Sequence, residues 1–295
     1  MIYYPHNIRF FERRFNMKKI RRSARIADMT QHLIERPHEL IPLTFFADRY
    51  SSAKSSISED LQIIKEVFEL EGLGDLKTLP GAAGGVKYIP RISDELCKEW
   101  VNEMIEGLSD PSRLLPGGYL YMSDYLHQPK YVNRMGKIFC SLFANVELDY
   151  VMTVETKGIP LAFATAQYLN VPVIIVRRDN RVTEGSVVSI NYVSGSSKRI
   201  QTMSLSRRSL KENSRVLIID DFMKAGGTIR GMMDLLQEFK AEVVGTCVLV
   251  ESEPVESRLV DNVISLIQLN EVDVRDKKIH MQLGNLFQVL EGVHI

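Results

Sequence analysis

Two carboxylates, Asp220 and Asp221, follow four apolar residues, Val216 to Ile219, and precede Phe222-Met223-Lys224-Ala225-Gly226-Gly227-Thr228. An unbroken apolar run of that length suits a strand buried on both faces. The acids then stand at its carboxyl end, where ligands of open α/β sheets bind, and a carboxylate pair there suits the hydroxyls of a ribose or a hydrated Mg²⁺. Ala225, Gly226 and Gly227 leave backbone N–H groups uncovered. Thr228 opens a helical pattern of Ile229, Met232, Met233 and Leu236, whose amino end favours a phosphate. An ordinary strand and turn would carry some of these features, whereas all of them in one stretch point to ribose followed by phosphate.

A second loop, Glu155-Thr156-Lys157-Gly158-Ile159-Pro160, lies between an expected strand over Tyr150–Val154 and an expected helix over Pro160–Leu169. Lys157 and the N–H groups of Thr156 and Gly158 suit an anion, although a plain strand-to-helix turn accounts for the loop taken alone. Arg177-Arg178 ends the next strand, Pro172–Val176, and either adds charge to the same pocket or forms a solvated surface pair. Strands and helices then keep alternating, with a helix over Ile229–Phe239 and a strand over Val243–Val250. That pattern argues for a parallel sheet covered on both faces.

The amino-terminal part carries a different chemistry. Residues 1–25 hold Arg9, Arg13, Arg14, Lys18, Lys19, Arg21, Arg22 and Arg25 against one acid, Glu12, although the whole chain is balanced at 37 basic and 37 acidic residues. Helical spacing follows over Ile26, Met29, Leu33 and Ile34, ending at Arg36-Pro37. A short helix is expected over Leu43–Tyr50, and a third opens at a capping box, Ser56-Ile57-Ser58-Glu59. Two extended pieces, Leu76–Leu79 and Val86–Pro90, flank the small-residue loop Pro80–Gly85. Three helices and a hairpin make a winged helix, in which Lys54, Ser55, Ser56 and Ser58 face bases or phosphates, while Lys18, Lys19, Arg21, Arg22, Arg25 and Lys87 contact phosphate. A wholly structural helical cap is the plainer alternative.

The rest of the sequence sets bounds. At 295 residues and 45% hydrophobic content the chain is expected to form about two globular domains. Cys97, Cys140 and Cys247 stand far apart with no paired spacing, so a reducing cytoplasm is expected, with no zinc site and no disulfide framework. No apolar run is long enough to span a membrane. Met17-Lys18-Lys19 suits a start, so residues 1–16 are expected to be an upstream extension. The winged helix is expected over 17–91, a connecting helix or linker over 92–116, with Trp100 in a core, and the α/β domain over 117–295.

Two resemblances sharpen these expectations. The Asp220–Thr228 stretch resembles the signature of type I phosphoribosyltransferases, which bind phosphoribosyl pyrophosphate (PRPP). Those enzymes commonly carry Ala-Thr where this chain has Lys224-Ala225, so one phosphate-touching hydroxyl is missing. The Thr156–Gly158 loop matches the place where purine-type enzymes hold pyrophosphate. Residues 185–197 resemble the flexible hood of adenine and xanthine phosphoribosyltransferases, but no acid occurs from Gly185 to Leu210 to serve as a general acid or base. No catalytic residue is therefore singled out.

Taken whole, the chain resembles the purine operon repressors of Gram-positive bacteria. The likeness rests on Arg22-Ser23, Leu40–Phe46, Ala53–Asp60, the Gly81–Tyr88 wing, Thr156–Leu161 and the Asp220 loop. It implies a winged helix-turn-helix domain fused to a phosphoribosyltransferase-like domain with a mainly parallel sheet, in a homodimer that represses purine-synthesis genes by binding operator DNA. It further implies release by PRPP with or without Mg²⁺, and competition from guanine-nucleotide alarmones. Ribose then falls on Asp220 and Asp221, phosphate on Lys224, Ala225, Gly226, Gly227 and Thr228 beside Met223, and a base or nucleotide ring near Phe222 or Tyr119. A working purine phosphoribosyltransferase is the alternative, and an RNA-binding attenuator ranks last because no base-stacking aromatic pair is seen on a strand.

Overall fold

The computed structural model describes residues 20–81, 84–178, 185–193, 199–253 and 258–290. The expectations for residues 1–16, for Lys18 and Lys19, and for the hood tip at 194–197 lie outside these. The chain divides into two compact units, Met1–Ile89 and Pro90–Ile295. Among the described residues no helix is long and apolar enough to cross a membrane.

The first unit holds helices α1 (Arg22–Glu35), α2 (Leu43–Tyr50) and α3 (Lys54–Leu70), with strands β1 (Ile41–Pro42), β2 (Gly74–Leu79) and β3 (Gly85–Pro90) in the order β1-β3-β2. Met29 and Leu33 of α1, Phe46 and Tyr50 of α2, and Ile57, Leu61, Ile64 and Phe68 of α3 form its core with Val86 and Tyr88 of β3. The three-residue turn between α2 and α3 and the β2–β3 wing complete a winged helix-turn-helix. One local expectation fails. The extended cap residue of α3 is Ala53, so the helix begins at Lys54 and the supposed box at Ser56–Glu59 lies inside it, with Ser58 Oγ donating back to the Lys54 carbonyl at 3.0 Å.

The second unit is built on a six-stranded sheet. Its strands are β6 (Tyr150–Val154), β7 (Val173–Val176), β10 (Arg215–Met223), β11 (Glu242–Ser252), β12 (Val263–Asp273) and β13 (Lys278–Leu283). They lie in the order β13-β12-β11-β10-β6-β7, all parallel except β13. Leu217 and Ile219 of β10 face one core, shared with α7 (Ile159–Leu169), while Val216 and Ile218 face the other, shared with α8 (Gly227–Gln237). Burial on both faces is what the unbroken apolar run required. The strand continues through both acids to Met223, farther than the apolar run alone indicates. Residues 92–116, expected to connect the domains, hold α4 (Asp94–Leu108), capped by Ser93 accepting from the Leu96 N–H at 3.2 Å. Its Cys97, Val101, Met104 and Leu108 are built into the first of these two cores with α6 (Pro129–Leu142). Trp100 is only partly buried there, with the Arg134 guanidinium 5.0 Å from its ring.

Candidate functional site

Numbered along the chain, the five parallel strands β6, β7, β10, β11 and β12 have the order 2-1-3-4-5 across the sheet. The order reverses between β6 and β10, and the crevice outside the carboxyl ends of such a neighbouring pair is where doubly wound sheets bind ligands. Both loops singled out from residue types leave the sheet at this place: Glu155–Gly158 after β6 and Lys224–Gly226 after β10. Their convergence is direct. A Cβ built on Gly158 would run into Thr153 Oγ1 and stand 3.0 Å from Asp220 Oδ1. Only a residue without a side chain lets the first loop lie against the acid.

Asp220 is 5% exposed, and its Oδ1 accepts the Asp221 N–H at 2.9 Å. Burial, then the neighbouring Asp221 charge, push the Asp220 carboxyl well above the ordinary carboxylate range. Burial raises Asp221 as well, opposed by Lys157. A buried carboxylate beside a half-buried one calls for hydroxyl or cationic groups from a ligand. Among the described residues no cluster of three or more His, Cys, Asp or Glu is placed to hold a metal. The acid pair by itself suits a Mg²⁺ that keeps waters and takes its other oxygens from a polyphosphate.

The turn beyond the acids depends on glycine. Gly226 has φ of 84°, the left-handed region that glycine adopts at low cost, and a Cβ there would collide with Val260. Thr228 then lies in the first turn of α8, and Lys224 is exposed beside the open N–H groups. Met223 is buried in the core with α8, so its side chain faces away from a ligand and its backbone alone remains available. Phe222 is half-buried against the opposite core. Thr156 and Lys157 are exposed, and the Glu155–Thr156 peptide is cis. Glu155 accepts the Arg178 N–H at 2.7 Å and lies 3.7 Å from Arg177 Nη1. These contacts tie the end of β7 to the first loop, with Arg178 exposed. Tyr119 is not brought to this crevice by any neighbour the structure gives it. It is 66% exposed on β5 (Tyr119–Leu120), while the adjacent Gly118 lies beside Val274 past the end of β12, two strands from β10.

In the first unit, Lys54, Ser55 and Ser58 are exposed along the first turns of α3, Ser56 is half-buried, and Arg21 is exposed ahead of α1. Lys87 is half-buried on β3. Arg22 and Arg25 have another task. Asp60 of α3 is fully buried and accepts from Arg22 Nε at 2.8 Å and Arg25 Nε at 2.5 Å, while Arg25 Nη1 reaches Ser52 Oγ at 3.2 Å. Burial opposes the Asp60 charge, but the two guanidinium groups outweigh it and hold the carboxyl below its ordinary range. Arg25 is thus largely consumed in bracing α1 against α3 rather than free for phosphate, whereas Arg22 remains half-exposed. Asp60 lies three residues after Ile57 and four before Ile64, on the apolar stripe of α3. That position was the available sign that it needed a cationic partner.

A helix-turn-helix unit with a wing and, in the same chain, a doubly wound sheet with an acid pair and a glycine turn at its switch point define a DNA-binding protein with a phosphoribosyltransferase-type unit. Residues 21–90 match the family described as bacterial purine repressor, N-terminal, and residues 122–283 match the phosphoribosyl transferase domain. The chain belongs to the family of purine biosynthesis transcriptional regulators. It is 60% identical over 270 residues to the purine biosynthesis transcriptional repressor PurR of Bacillus subtilis, covering 92% of this chain and 95% of that one. It is 44% identical over 268 residues to the purine biosynthesis transcriptional activator PurR of Lactococcus lactis subsp. lactis, covering 91% and 99%. A xanthine phosphoribosyltransferase of Lactococcus lactis subsp. cremoris is 32% identical over 152 residues, covering 50% of this chain and 77% of the enzyme.

Proposed function

We propose that this chain is a homodimeric, cytoplasmic repressor of purine-synthesis genes that binds operator DNA through the winged helix and senses PRPP at the switch-point crevice. The observation that carries the reading is the meeting of Gly158 with Asp220: the loop after β6 lies against the buried first acid of the pair that precedes the glycine turn. Asp220 and Asp221 take the ribose hydroxyls, the turn from Lys224 to Thr228 takes the 5-phosphate, and Thr156, Lys157 and Arg178 face the pyrophosphate. Mg²⁺ would travel with the pyrophosphate on the acid pair, supplying charge neutralisation. Guanine-nucleotide alarmones would compete for the same anion-binding groups, with Phe222 the nearer aromatic to the acids. PRPP selects a state of weaker DNA affinity. By linkage DNA then weakens PRPP by the same factor, typically about 5- to 150-fold.

The chain acts without catalysing transfer in this reading, since the hood stretch carries no acid to work on a purine nitrogen. Its likeness to the xanthine enzyme favours the second reading, a working phosphoribosyltransferase. A mobility shift with purine-operon DNA, with and without PRPP, beside an assay of base-dependent pyrophosphate release decides between them. Release of DNA without turnover supports the sensor, and turnover with a complex indifferent to PRPP supports the enzyme.

Two variants test the two units separately. Lys54→Ala is expected to weaken operator binding and to reduce the slope of log affinity against log salt by about 1, because one fewer counterion is displaced. An unchanged slope would place Lys54 away from the phosphates. Gly158→Ala is expected to leave DNA binding intact while lowering PRPP affinity at least tenfold in a calorimetric titration, because the added methyl group collides with Thr153 Oγ1 and crowds Asp220 Oδ1, so the first loop must move away from the acid. Wild-type PRPP affinity in that variant would mean that the loop does not close on the ligand.

A further inference from the structure

The antiparallel hairpin of β8 (Val187–Val193) and β9 (Ile200–Ser206) sets a tyrosine against α8, the helix that follows the glycine turn. Tyr192 of β8 is 6% exposed, and its ring lies on the first turns of α8. Gly231 makes the room: a Cβ there would stand 3.0 Å from Tyr192 Cγ and 3.1 Å from Tyr192 Cβ. The Tyr192 hydroxyl donates to Oε1 of Gln201, its partner across the hairpin, at 2.7 Å, and Thr228 stands on the same face of α8, three residues before Gly231. Between Lys224 and Thr228 the turn has one hydroxyl of its own, that of Thr228, because position 225 is alanine.

We propose that Tyr192 is an effector-binding residue whose hydroxyl joins that of Thr228 on the phosphate, supplying from the hairpin the group that Ala225 lacks. The inference rests on the crevice binding a ribose phosphate, as argued above. A phosphate dianion only accepts hydrogen bonds, and both hydroxyls at the amino end of α8 are able to turn their protons toward it. Gln201 is half-buried, so water can take over the bond that its Oε1 gives up. Hydrogen bonds to a charged acceptor are about twice as strong as neutral ones, which favours the exchange.

Tyr192→Phe in the full chain keeps the ring against Gly231 and removes only the hydroxyl. Calorimetric titration with PRPP, and with ribose 5-phosphate as a probe of the phosphate end alone, is expected to show an affinity about tenfold lower for both ligands. Adding Ala225→Thr to that variant is expected to recover most of the loss by restoring a hydroxyl from the turn itself. Unchanged affinity in Tyr192→Phe overturns the inference, as does a loss that Ala225→Thr leaves uncorrected, which would assign the tyrosine to support of the hairpin. A wild-type chain that binds neither ligand overturns the effector reading, and the inference with it.

Discussion

Asp60→Ala is expected to unfold the DNA-binding unit at a temperature at least 10 °C below that of the wild type and to abolish operator binding under conditions where the second unit stays folded. The buried carboxylate is the common acceptor of Arg22 and Arg25, and its loss leaves the mostly buried Arg25 side chain with a charge it cannot fully solvate. Removing one partner of a buried pair costs about 3–5 kcal/mol, and the half-exposed Arg22 puts this site at the lower end, about 3. In a unit of fewer than 100 residues each kcal/mol moves the midpoint by about 4–8 °C. The dependence on pH has a definite sign. The folded-state pKa of Asp60 is depressed, so its contribution is complete above the unfolded value of about 3.9 and disappears as pH falls through the lower folded value. Wild type and variant should therefore differ by a constant amount near neutrality and converge only in strong acid. Calorimetric melting of the two proteins between pH 7 and 3 reads this directly, and a difference already gone at pH 5 would remove the ion bracket as the cause.

Those two arginines also show how far residue patterns reach. Their excess in the first 25 residues marked a basic arm. Which cations are free and which are internal depends on Asp60, a contact across 35 to 38 positions that spacing alone does not reveal. The crevice was more legible because its parts are local: the apolar run, the acid pair and the glycine turn are contiguous, and each has one physical use. The order of the strands was needed to bring Gly158 against Asp220, and alternating elements imply a parallel sheet without implying that order. The packing of Tyr192 on Gly231 left no trace in the residue pattern, since the two belong to different elements. The misplaced start of α3 has a simpler origin: Ser56 and Glu59 satisfy a capping pattern, but Ala53 already supplies the extended cap residue. The short β4 (Leu114–Leu115) and β5, and α5 (Ser123–His127), were not anticipated, because elements of two to five residues carry no usable period. β12 and β13, beyond the last strand expected at Val250, extend the sheet away from the crevice.

Asp220→Asn is expected to make the second unit more stable near neutral pH while lowering PRPP affinity 100-fold or more, so that PRPP no longer releases the operator complex. The two effects share a cause. Asp220 is buried beside Thr153, whose hydroxyl has no hydrogen-bond partner among the described residues, and beside a second carboxylate, an arrangement that disfavours its charge in the free protein. Its folded pKa is raised, so relative to the unfolded chain its contribution is most favourable below about 3.9 and is lost as pH rises through the folded value. Above that value the wild type carries the whole penalty, which the neutral amide of the same shape does not. The ligand reverses the balance, because ribose hydroxyls need acceptors and asparagine replaces one of two acceptor oxygens with a donor. Hydrogen bonds to charged groups are each worth about 1.5–3 kcal/mol, and losing two of them accounts for the 100-fold change. Asp221→Ala should match it in blocking release, with a smaller gain in stability because Asp221 is less buried and has Lys157 as a neighbour. The measurements are thermal melts from pH 4 to 8 and operator mobility shifts across a PRPP titration. A variant that releases DNA at the wild-type PRPP concentration would exclude the acid pair as the sensor. One that melts below the wild type at pH 7 would show that the Asp220 charge is already compensated in the free protein.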